Sequence, residues 1–259
     1  MKLNAYQLKW IAIVGMVLFH AMYAFEVVLS LPVMVVMGAA GGLTFPIMGY
    51  FITEGYRHTS NIKRYLLRLF IFGLIAIPFH VLVMGGSLRL NIMFTIILSI
   101  VALVLYDKIK RKALFWILVF PVVSVITAVL MMDWLIIGII VVLLYHLIKN
   151  ETLRRVLPPI VAGSFWFLFT AISRWGISQL ESIGGQYENI QMILDAWGGN
   201  MYTLIATQAM AIGCLCAAVL LKGYNGERGK KMKWLFYIVY PLHLAAIAAG
   251  ALALGLIVL

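Results

Sequence analysis

The chain has 259 residues, of which 64% are hydrophobic and only 11% are charged, and its mean hydropathy is +1.04. Soluble domains are about half apolar and about a quarter charged. This composition therefore excludes a soluble protein and indicates an integral membrane protein that has the lipid bilayer as a partner. The net charge of +11 lies in short basic blocks between apolar runs, and no recognition module is visible, so nucleic acid is not an expected partner.

The apolar runs predict nine membrane-spanning helices in a single domain, residues 1–259, and an all-α polytopic bundle as the fold. Polar or charged residues separate the runs. A tenth, re-entrant or half-span element within 175–199 is the alternative count. The predicted spans are 7–26, 32–53, 65–84, 90–106, 113–131, 133–148, 156–174, 200–221 and 234–257.

The positive-inside rule gives this bundle an orientation. With the N-terminus in the cytoplasm, only Arg89 and Arg174 of the 20 basic residues fall on outer segments. We therefore predict a multi-pass plasma-membrane protein with a cytoplasmic N-terminus. The first apolar run is long enough to span the bilayer, so a cleavable signal peptide is not expected.

Lys9 and His20 lie eleven residues apart on the first span. About three helical turns separate them, which places both side chains on one face and roughly 16 Å apart along the axis. Lys9 then lies near the cytoplasmic interface and His20 near the middle of the bilayer. An ionisable group at that depth is costly and marks a functional candidate. Two interpretations of His20 stay open, a hydrogen bond between helices and a general base.

The second span ends in the segment 54–59, which reads EGYRHT. Glu54 precedes Arg57 and His58 by three and four residues, a spacing typical of a local ion pair. The alternative is a phosphate-binding collar at the cytoplasmic interface, since guanidinium groups suit phosphate well. The members of that collar are Arg57, Lys63, Arg64 and Arg68.

Asn91, Thr95 and Ser99 recur at four-residue intervals on the fourth span and form one polar stripe on an otherwise apolar helix. In lipid, such a stripe makes hydrogen bonds between helices or lines a channel for a ligand. The sequence leaves both interpretations open.

Asp133 opens the sixth span, either as an N-cap or as a carboxylate within reach of a histidine at mid-membrane. His80 and His146 lie near span ends and are assigned no role. Cys214 and Cys216 are two residues apart and point to different helix faces, so neither a disulfide nor a metal site is predicted. Nucleotide-hydrolase, serine-hydrolase and zinc-protease motifs are absent from the sequence.

Tyr240, Pro241 and His243 lie together in the last span. A proline inside a helix bends it and frees a backbone carbonyl, often at a working site. Tyr240 and His243 are therefore candidate site residues. The outer loop 175–199 is aromatic and acidic, which is typical of an interfacial belt and also of a surface that attracts a cationic amine.

These segments, read in order, resemble the TraX family of membrane acetyltransferases over nearly the whole chain. The matching segments are Leu8-Lys9-x-Ile11-Ala12 leading to His20, Phe45-Pro46-Ile47, residues 54–59, Lys63-x-Tyr65-x-x-Arg68-Leu69, Ile77-Pro78-Phe79, Leu90-Asn91-Ile92-x-Phe94-Thr95, Tyr224-Asn225-Gly226-x-Arg228-Gly229 and Phe236-Tyr237-x-x-Tyr240-Pro241-x-His243-Leu244.

The resemblance implies transfer of an acetyl group from cytoplasmic acetyl-CoA. The spacing of Lys9 and His20 is also similar to the Arg/Lys-x10-His pattern of the wider acyltransferase-three superfamily, in which the histidine is catalytic. The implied catalytic set is His20 as base, Asp133 as its carboxylate, and Asn91, Tyr240 and His243. The implied donor-binding set is Lys9, Glu54, Arg57, His58, Lys63, Arg64, Arg68, Thr95 and Arg228. Thr95, like Asn91 and Tyr240, is also a candidate hydrogen-bond donor to the oxyanion that develops on the thioester carbonyl. Direct transfer of the acetyl group is preferred to an acetyl-histidine intermediate.

Two departures from the family pattern concern the environment of His20. TraX-like sequences usually have an aspartate directly before the histidine, where this chain has Phe19. They also tend to carry Gly-Arg ahead of the Phe-Pro pair, where this chain has Gly41-Gly42. The missing carboxylate leaves three alternatives: Asp133 replaces it, Glu26 replaces it, or the enzyme works without one.

The TraX name implies an amine acceptor, the amino terminus of a peptide, protein or lipoprotein at or beyond a bacterial membrane. A lipid-like amine and a hydroxyl of a cell-envelope glycan are the alternative acceptors. A small-solute transporter and a structural assembly subunit are the alternative classes, since both would also place polar residues between helices. Acetyl-CoA binding separates the transferase from these classes.

Overall fold

The computed structural model describes residues 2–85, 89–182, 201–230 and 234–257, and the regular structure in these ranges is helical. A π-helical turn, Phe115–Val119, joins α6 to α7. The helices are α1 (Ala5–Ala24), α2 (Leu31–Gly42), α3 (Thr44–His58), α4 (Ile62–Val83), α5 (Ile92–Lys108), α6 (Lys112–Leu114), α7 (Phe120–Val129), α8 (Leu135–Leu147), α9 (Glu151–Ser182), α10 (Met201–Gln208), α11 (Met210–Lys222) and α12 (Leu235–Ala253).

Each of the nine predicted spans coincides with a helical segment, which confirms the predicted helical bundle. Helices α2 and α3 together fill the second span, and α10 and α11 together fill the eighth. Within the described ranges, seven segments are long and apolar enough to cross a membrane, and α8 is a shorter apolar helix. Helix α9 continues to Ser182, and the rest of the alternative tenth element lies outside the described residues.

Asparagine side chains fix where two of the helices begin. Asn4 accepts a hydrogen bond from the Gln7 N–H, and the Gln7 side chain accepts one from the Asn4 N–H, both at 3.0 Å. This reciprocal pair is a capping box at the start of α1. Asn61 accepts from the Arg64 N–H at 2.9 Å and begins α4. Both caps satisfy backbone donors that a helix leaves unpaired at its first turn.

Glycines bring α2 into direct backbone contact with α10 and α11. A Cβ atom at Gly38 would overlap the carbonyl oxygen of Ala206, and one at Gly42 would overlap that of Met210. Gly38 and Gly42 are four residues apart, the small-xxx-small spacing that lets membrane helices approach closely. A larger residue at either position would therefore force these helices apart.

The N-terminal segment pairs with the loop that precedes α12. The Leu3 N–H donates to the Gly223 carbonyl at 3.1 Å, and the Asn225 N–H donates to the Leu3 carbonyl at 2.9 Å. Gly229 in this loop has a φ of 65°, a left-handed conformation that glycine adopts without steric cost. The pairing places Arg228 beside the first turns of α1.

Candidate functional site

His20 of α1 and His243 of α12 form a hydrogen-bonded pair inside the bundle, with 3.1 Å between His20 Nδ1 and His243 Nε2. His243 Nδ1 lies 2.9 Å from the Val239 carbonyl, which can only accept, so this nitrogen carries a hydrogen. In neutral His243 the Nε2 atom is then an acceptor, and His20 Nδ1–H is the donor. The same N–H also faces the Met16 carbonyl at 2.9 Å. Neutral His20 therefore keeps its lone pair on Nε2, as a general base requires.

His80 of α4 belongs to the same cluster, although the sequence suggested no role for it. It is fully buried, and its Nε2 donates to Asp133 Oδ2 at 3.2 Å. One nitrogen each of His20 and His80 and one oxygen of Asp133 all lie within 4.8 Å of one another. An ionisable residue inside an apolar helix is a sign of function that the sequence does contain. The position of His80 near the end of its span made this sign easy to miss.

The loop that carries Asp133 is strained. Three of its non-glycine residues, Met131, Trp134 and Leu135, have φ values of 44°, 64° and 43°. Such conformations cost about 1–3 kcal/mol each and concentrate at functional sites. The N-cap position of α8 is Trp134, so the N-cap interpretation of Asp133 is wrong. The hydroxyl of Thr95 donates to the Asp133 carbonyl at 2.5 Å and helps to hold the loop in place.

His20 and Asp133 line a cavity of about 350 Å³, which we name the histidine cavity. It lies among α1, α3, α5, α9 and α11 and the strained loop, and its walls are mainly apolar. Asp133 is the one acidic residue among the described residues that line it. Other lining residues are Met16, Phe19, Met84, Arg89, Met131, Met132, Trp166, Phe169 and Met210.

Phe19, which stands where TraX-like sequences usually have aspartate, forms part of this wall. It packs against Gly41 so closely that a Cβ atom at that position would overlap its ring. Asp133 is therefore the carboxylate that the structure brings to His20. Glu26, the other candidate, lies beyond the end of α1, where partial burial raises its pKa above the ordinary value.

A second cavity of about 220 Å³, which we name the basic cavity, lies beside the first turns of α1. Lys9, Arg228 and Lys230 line it. The Lys9 ammonium lies 4.9 Å from the centroid of the Phe51 ring. The sequence did not suggest Lys230 as a donor-binding residue. Its loop pairs with residues 3–5, and this pairing fixes the position of Lys230. Aromatic residues complete the lining, namely Tyr6, Phe51, Tyr65, Phe236 and Tyr237.

About one helical turn separates the two cavities along two of the helices that they share. On α3, Phe45 lines the histidine cavity and Met48 lines the basic cavity. On α5, Ile92 lines the histidine cavity and Ile96 lines the basic cavity. The cavities therefore approach each other in the bundle interior.

Tyr240 of α12 lies at this approach. It is fully buried, and its ring centroid is 6.2 Å from that of His20. One turn earlier on the same helix, Tyr237 lines the basic cavity. Among the described residues the Tyr240 hydroxyl has no hydrogen-bond partner of acceptable geometry. The Ile92 backbone lies beside this hydroxyl, and Tyr240 itself lines neither cavity. A buried O–H without a well-formed partner is costly, which makes this hydroxyl a candidate donor where the cavities approach.

The predicted phosphate-binding collar is not assembled as expected, because Arg57 and Glu54 serve the contacts between helices. Arg57 donates to the carbonyls of Tyr145 and His146 at the end of α8, at 3.3 and 3.0 Å. Glu54 pairs with Arg57 at 3.3 Å and with the buried Arg154 of α9 at 2.8 Å. The ion-pair interpretation of this segment is the one that the structure supports.

The remaining donor-binding candidates of this region, His58, Lys63, Arg64 and Arg68, differ in their position relative to the basic cavity. His58 Nδ1 donates to a carbonyl of its own helix at 2.8 Å. Lys63 and Arg64 are exposed, and neither is among the residues that line the basic cavity. Arg68 adjoins that cavity, since its guanidinium carbon lies 5.7 Å from the centroid of the Tyr237 ring.

The polar stripe on α5 makes contacts between and within helices rather than lining a channel. Asn91 caps α5 by accepting from the Met93 N–H at 3.1 Å, and it donates to the Gly73 carbonyl of α4 at 2.9 Å. Ser99 donates to the Thr95 carbonyl at 2.8 Å. Asn91 and Thr95 therefore hold neighbouring segments in place, and neither lines one of the two cavities.

The histidine cluster offers two uses for the same atoms. His20, His80 and Asp133 are residue types that bind divalent transition metals, and their spacing lets them hold such an ion. Alternatively, the hydrogen bond between His80 and Asp133, together with their closeness to His20, lets the three side chains exchange protons. Sensitivity to a chelator separates the two uses.

The fold and this site define a polytopic helical membrane protein with a histidine and aspartate cluster between two unlike cavities. Residues 4–249 match the family described as TraX protein, and the chain belongs to that family. The chain is also 26% identical over 264 residues to a protein of Dichelobacter nodosus named "Probable fimbrial assembly protein FimC, serogroup H1", with 97% of each chain covered. No solved structure matches the chain.

Proposed function

We propose that this protein moves an acetyl group from cytoplasmic acetyl-CoA to an amine at or beyond the membrane. The observation that carries the proposal is the place of His20, where a basic and aromatic cavity approaches an apolar one. A transferase that joins a cytoplasmic donor to an acceptor from the other side needs such an arrangement. Membership of the TraX family supports the same function.

The basic cavity suits the nucleotide end of acetyl-CoA. Its phosphates carry several negative charges, and Lys9, Arg228 and Lys230 supply cations around one cavity. Aromatic rings in the same lining offer stacking surfaces for the adenine. The pantetheine arm is slender and neutral, so it would extend between α3 and α5 and bring the thioester towards Tyr240 and His20.

The chemistry follows from the tautomer of His20. Its Nε2 takes a proton from the attacking amine as the amine nitrogen bonds to the thioester carbonyl carbon. The Tyr240 hydroxyl donates to the oxyanion that develops on that carbonyl. The carbon–sulfur bond then breaks, and the CoA thiolate takes up the proton. The products are the acetylated amine and CoA.

Asp133 would stabilise the positive charge that His20 gains in this step, and His80 would hold Asp133 in place. Asp133 is held by its hydrogen bond with His80 and, through its carbonyl, by Thr95. The strained loop fixes the carboxylate before the reaction, so little reorganisation is needed as the charge appears.

The acceptor is inferred from the relative named for fimbrial assembly. A fimbrial subunit is a protein, and its amino terminus is an amine. We therefore propose a peptide or protein amino terminus as the acceptor. Transfer to a glycan hydroxyl would use the same base and is separated from this proposal by the choice of acceptor in the assay.

The test uses the full chain in lipid nanodiscs with radiolabelled acetyl-CoA and short peptides. We expect saturable binding of acetyl-CoA and acetylation of the peptide amino terminus. His20→Ala should lower turnover by about 100- to 10,000-fold, the usual contribution of a general base, and leave acetyl-CoA affinity unchanged. His146→Ala is the matched control, because His146 pairs with Asp107 away from the cluster.

Absence of saturable acetyl-CoA binding would overturn the transferase proposal in favour of a transporter or an assembly subunit. Equal turnover of the wild type and His20→Ala would remove His20 from the chemistry. Loss of turnover after treatment with a chelator would assign the cluster to a metal ion instead of a proton path.

A further inference from the structure

The walls of the histidine cavity are far more apolar than an amine alone would require. Five methionines line it together with the aromatic rings of Phe19, Trp166 and Phe169. The reacting amine occupies only the part of the cavity next to His20. The remaining wall is therefore available to whatever group the amine carries.

The size of the cavity limits that group. About 350 Å³ lies at the low end of the range for pockets that hold a small ligand, roughly 300–1,000 Å³. This volume accommodates one large side chain beside the reacting amine and is too small for the two acyl chains of a phospholipid. Because His20 itself lines the cavity, the apolar group must be attached within a few bonds of the amine.

The charges on the wall fit the end of a peptide chain. Asp133 is the one acid among the described residues that line the cavity, and it suits the cationic form in which an amine arrives before it loses a proton to solvent and reacts. Arg89, whose side chain already has a partner, lines the same cavity. An amino-terminal residue carries an amine, a carbonyl and a side chain around one Cα atom.

We propose that the histidine cavity selects acceptors whose amino-terminal residue has a large apolar side chain, and that this side chain binds against the methionine and aromatic wall. This inference rests on the proposed acetyl transfer and adds a rule for the substrate. The occupant is a peptide or protein amino terminus.

The methionines also define how narrow the selection is. Their side chains are flexible and polarisable, so they adapt to different apolar shapes. Selection is therefore by size and apolarity rather than by one shape. Phenylalanine, leucine and methionine at the first position should be accepted within a few-fold of one another.

The experiment measures kcat/KM for a series of peptides that differ only in their first residue, with the full chain in nanodiscs. We expect peptides beginning with Phe, Leu or Met to exceed those beginning with Gly or Asp by ten-fold or more. Ten-fold corresponds to about 1.4 kcal/mol, within the gain from burying one large apolar side chain.

Two substitutions on α9 provide a matched pair. Phe169→Ala widens the cavity and should lower kcat/KM for the Phe peptide several-fold while that for the Gly peptide stays unchanged. Phe167→Ala makes the same chemical change two residues away, at a side chain that is 53% exposed and outside the cavity lining. It should leave both peptides unaffected. Acetyl-CoA affinity, measured on both variants, reports whether each is folded.

The outcomes distinguish this inference from the proposed function. Equal transfer to every peptide overturns the selection rule and leaves acetyl transfer intact. Transfer to phosphatidylethanolamine vesicles but to no peptide overturns the peptide occupant. Acetyl-CoA that is never turned over with any acceptor overturns the proposed function itself. A preference for large apolar first residues that Phe169→Ala reduces supports the inference.

Discussion

The basic cavity and the histidine cavity are held in place by different kinds of contact. Arg228 and Lys230 of the basic cavity are exposed side chains on a loop. His20 of the histidine cavity and His80 of the adjoining cluster are buried and hydrogen-bonded. Attraction between charges falls off slowly with distance, so it tolerates a cation that moves. Proton transfer requires heavy atoms about 2.6–3.2 Å apart. The difference in rigidity therefore matches the difference in the proposed tasks, which are binding a polyanion and moving a proton.

Helix α1 joins these two regions. It contributes Lys9 to the basic cavity and His20 to the histidine cavity. A change in one cavity should nevertheless leave the other intact, because each cavity has its own supporting contacts. Substitutions should then divide into those that change turnover and those that change donor affinity.

After the loss expected for His20→Ala, the next largest effect is expected at Tyr240, which lies where the cavities approach. Tyr240→Phe removes only the hydroxyl and keeps the ring against His20. If that hydroxyl stabilises the oxyanion, kcat should fall by about 100- to 1,000-fold, while acetyl-CoA affinity stays the same. Single-turnover acetylation measures kcat, and calorimetry measures the affinity. An unchanged kcat would show that Tyr240 only fills space.

A smaller loss of turnover is expected at Asp133. Asp133→Asn removes the charge beside His20 and weakens the bond to His80, so kcat should fall by about 10- to 100-fold, as with other carboxylates that orient a histidine. The measurement is kcat with acetyl-CoA and peptide both saturating.

The control for Asp133 is a second aspartate–histidine pair in the same chain. Asp107 lies 2.8 Å from His146 and its side chain is 43% exposed. Asp107→Asn should change kcat by about two-fold or less, since exposed pairs contribute little. Equal effects of the two substitutions would contradict a special place for Asp133.

The smallest effects are expected in the basic cavity. Arg228→Ala and Lys230→Ala should each weaken acetyl-CoA binding by about two- to five-fold, because exposed charges are screened by water and salt. Their effect should shrink as ionic strength rises, and kcat should not change. Titrations at two salt concentrations measure both expectations.

Lys63→Ala and Arg64→Ala are the matched controls for these cations. Both residues carry the same charges near the same end of the bundle but do not line the basic cavity. They should leave acetyl-CoA affinity unchanged. A larger effect at these positions would restore the collar predicted from the sequence.

The sequence predicted some features of the structure better than others. The spans were predictable because the apolar runs are continuous in the chain, and helices occupy all of them. The contacts of Arg57 were not predictable because a cation near an interface has several partners within reach. The partners of Arg57 are carbonyls at the end of α8, 88 and 89 residues away, and no local spacing reveals them.

The polar stripe on α5 and the role of His80 show the same limit. Asn91 and Thr95 carry the residue types of a ligand channel, yet their hydrogen bonds go to Gly73 and to Asp133. From the sequence alone, His80 is an ordinary residue near a span end. Its role depends on the packing of α4 against the strained loop. Its partner Asp133 is 53 residues away.

The sequence by itself determined a helical membrane bundle, its family pattern, and the presence of Lys9 and His20 on one helix. Hydropathy and helical period are properties of neighbouring residues, so one chain suffices to find them. Only the tertiary structure decided that His20 meets His243, 223 residues away, and which cations surround a cavity. Such contacts depend on how helices pack, and packing is set by the shapes of several segments at once.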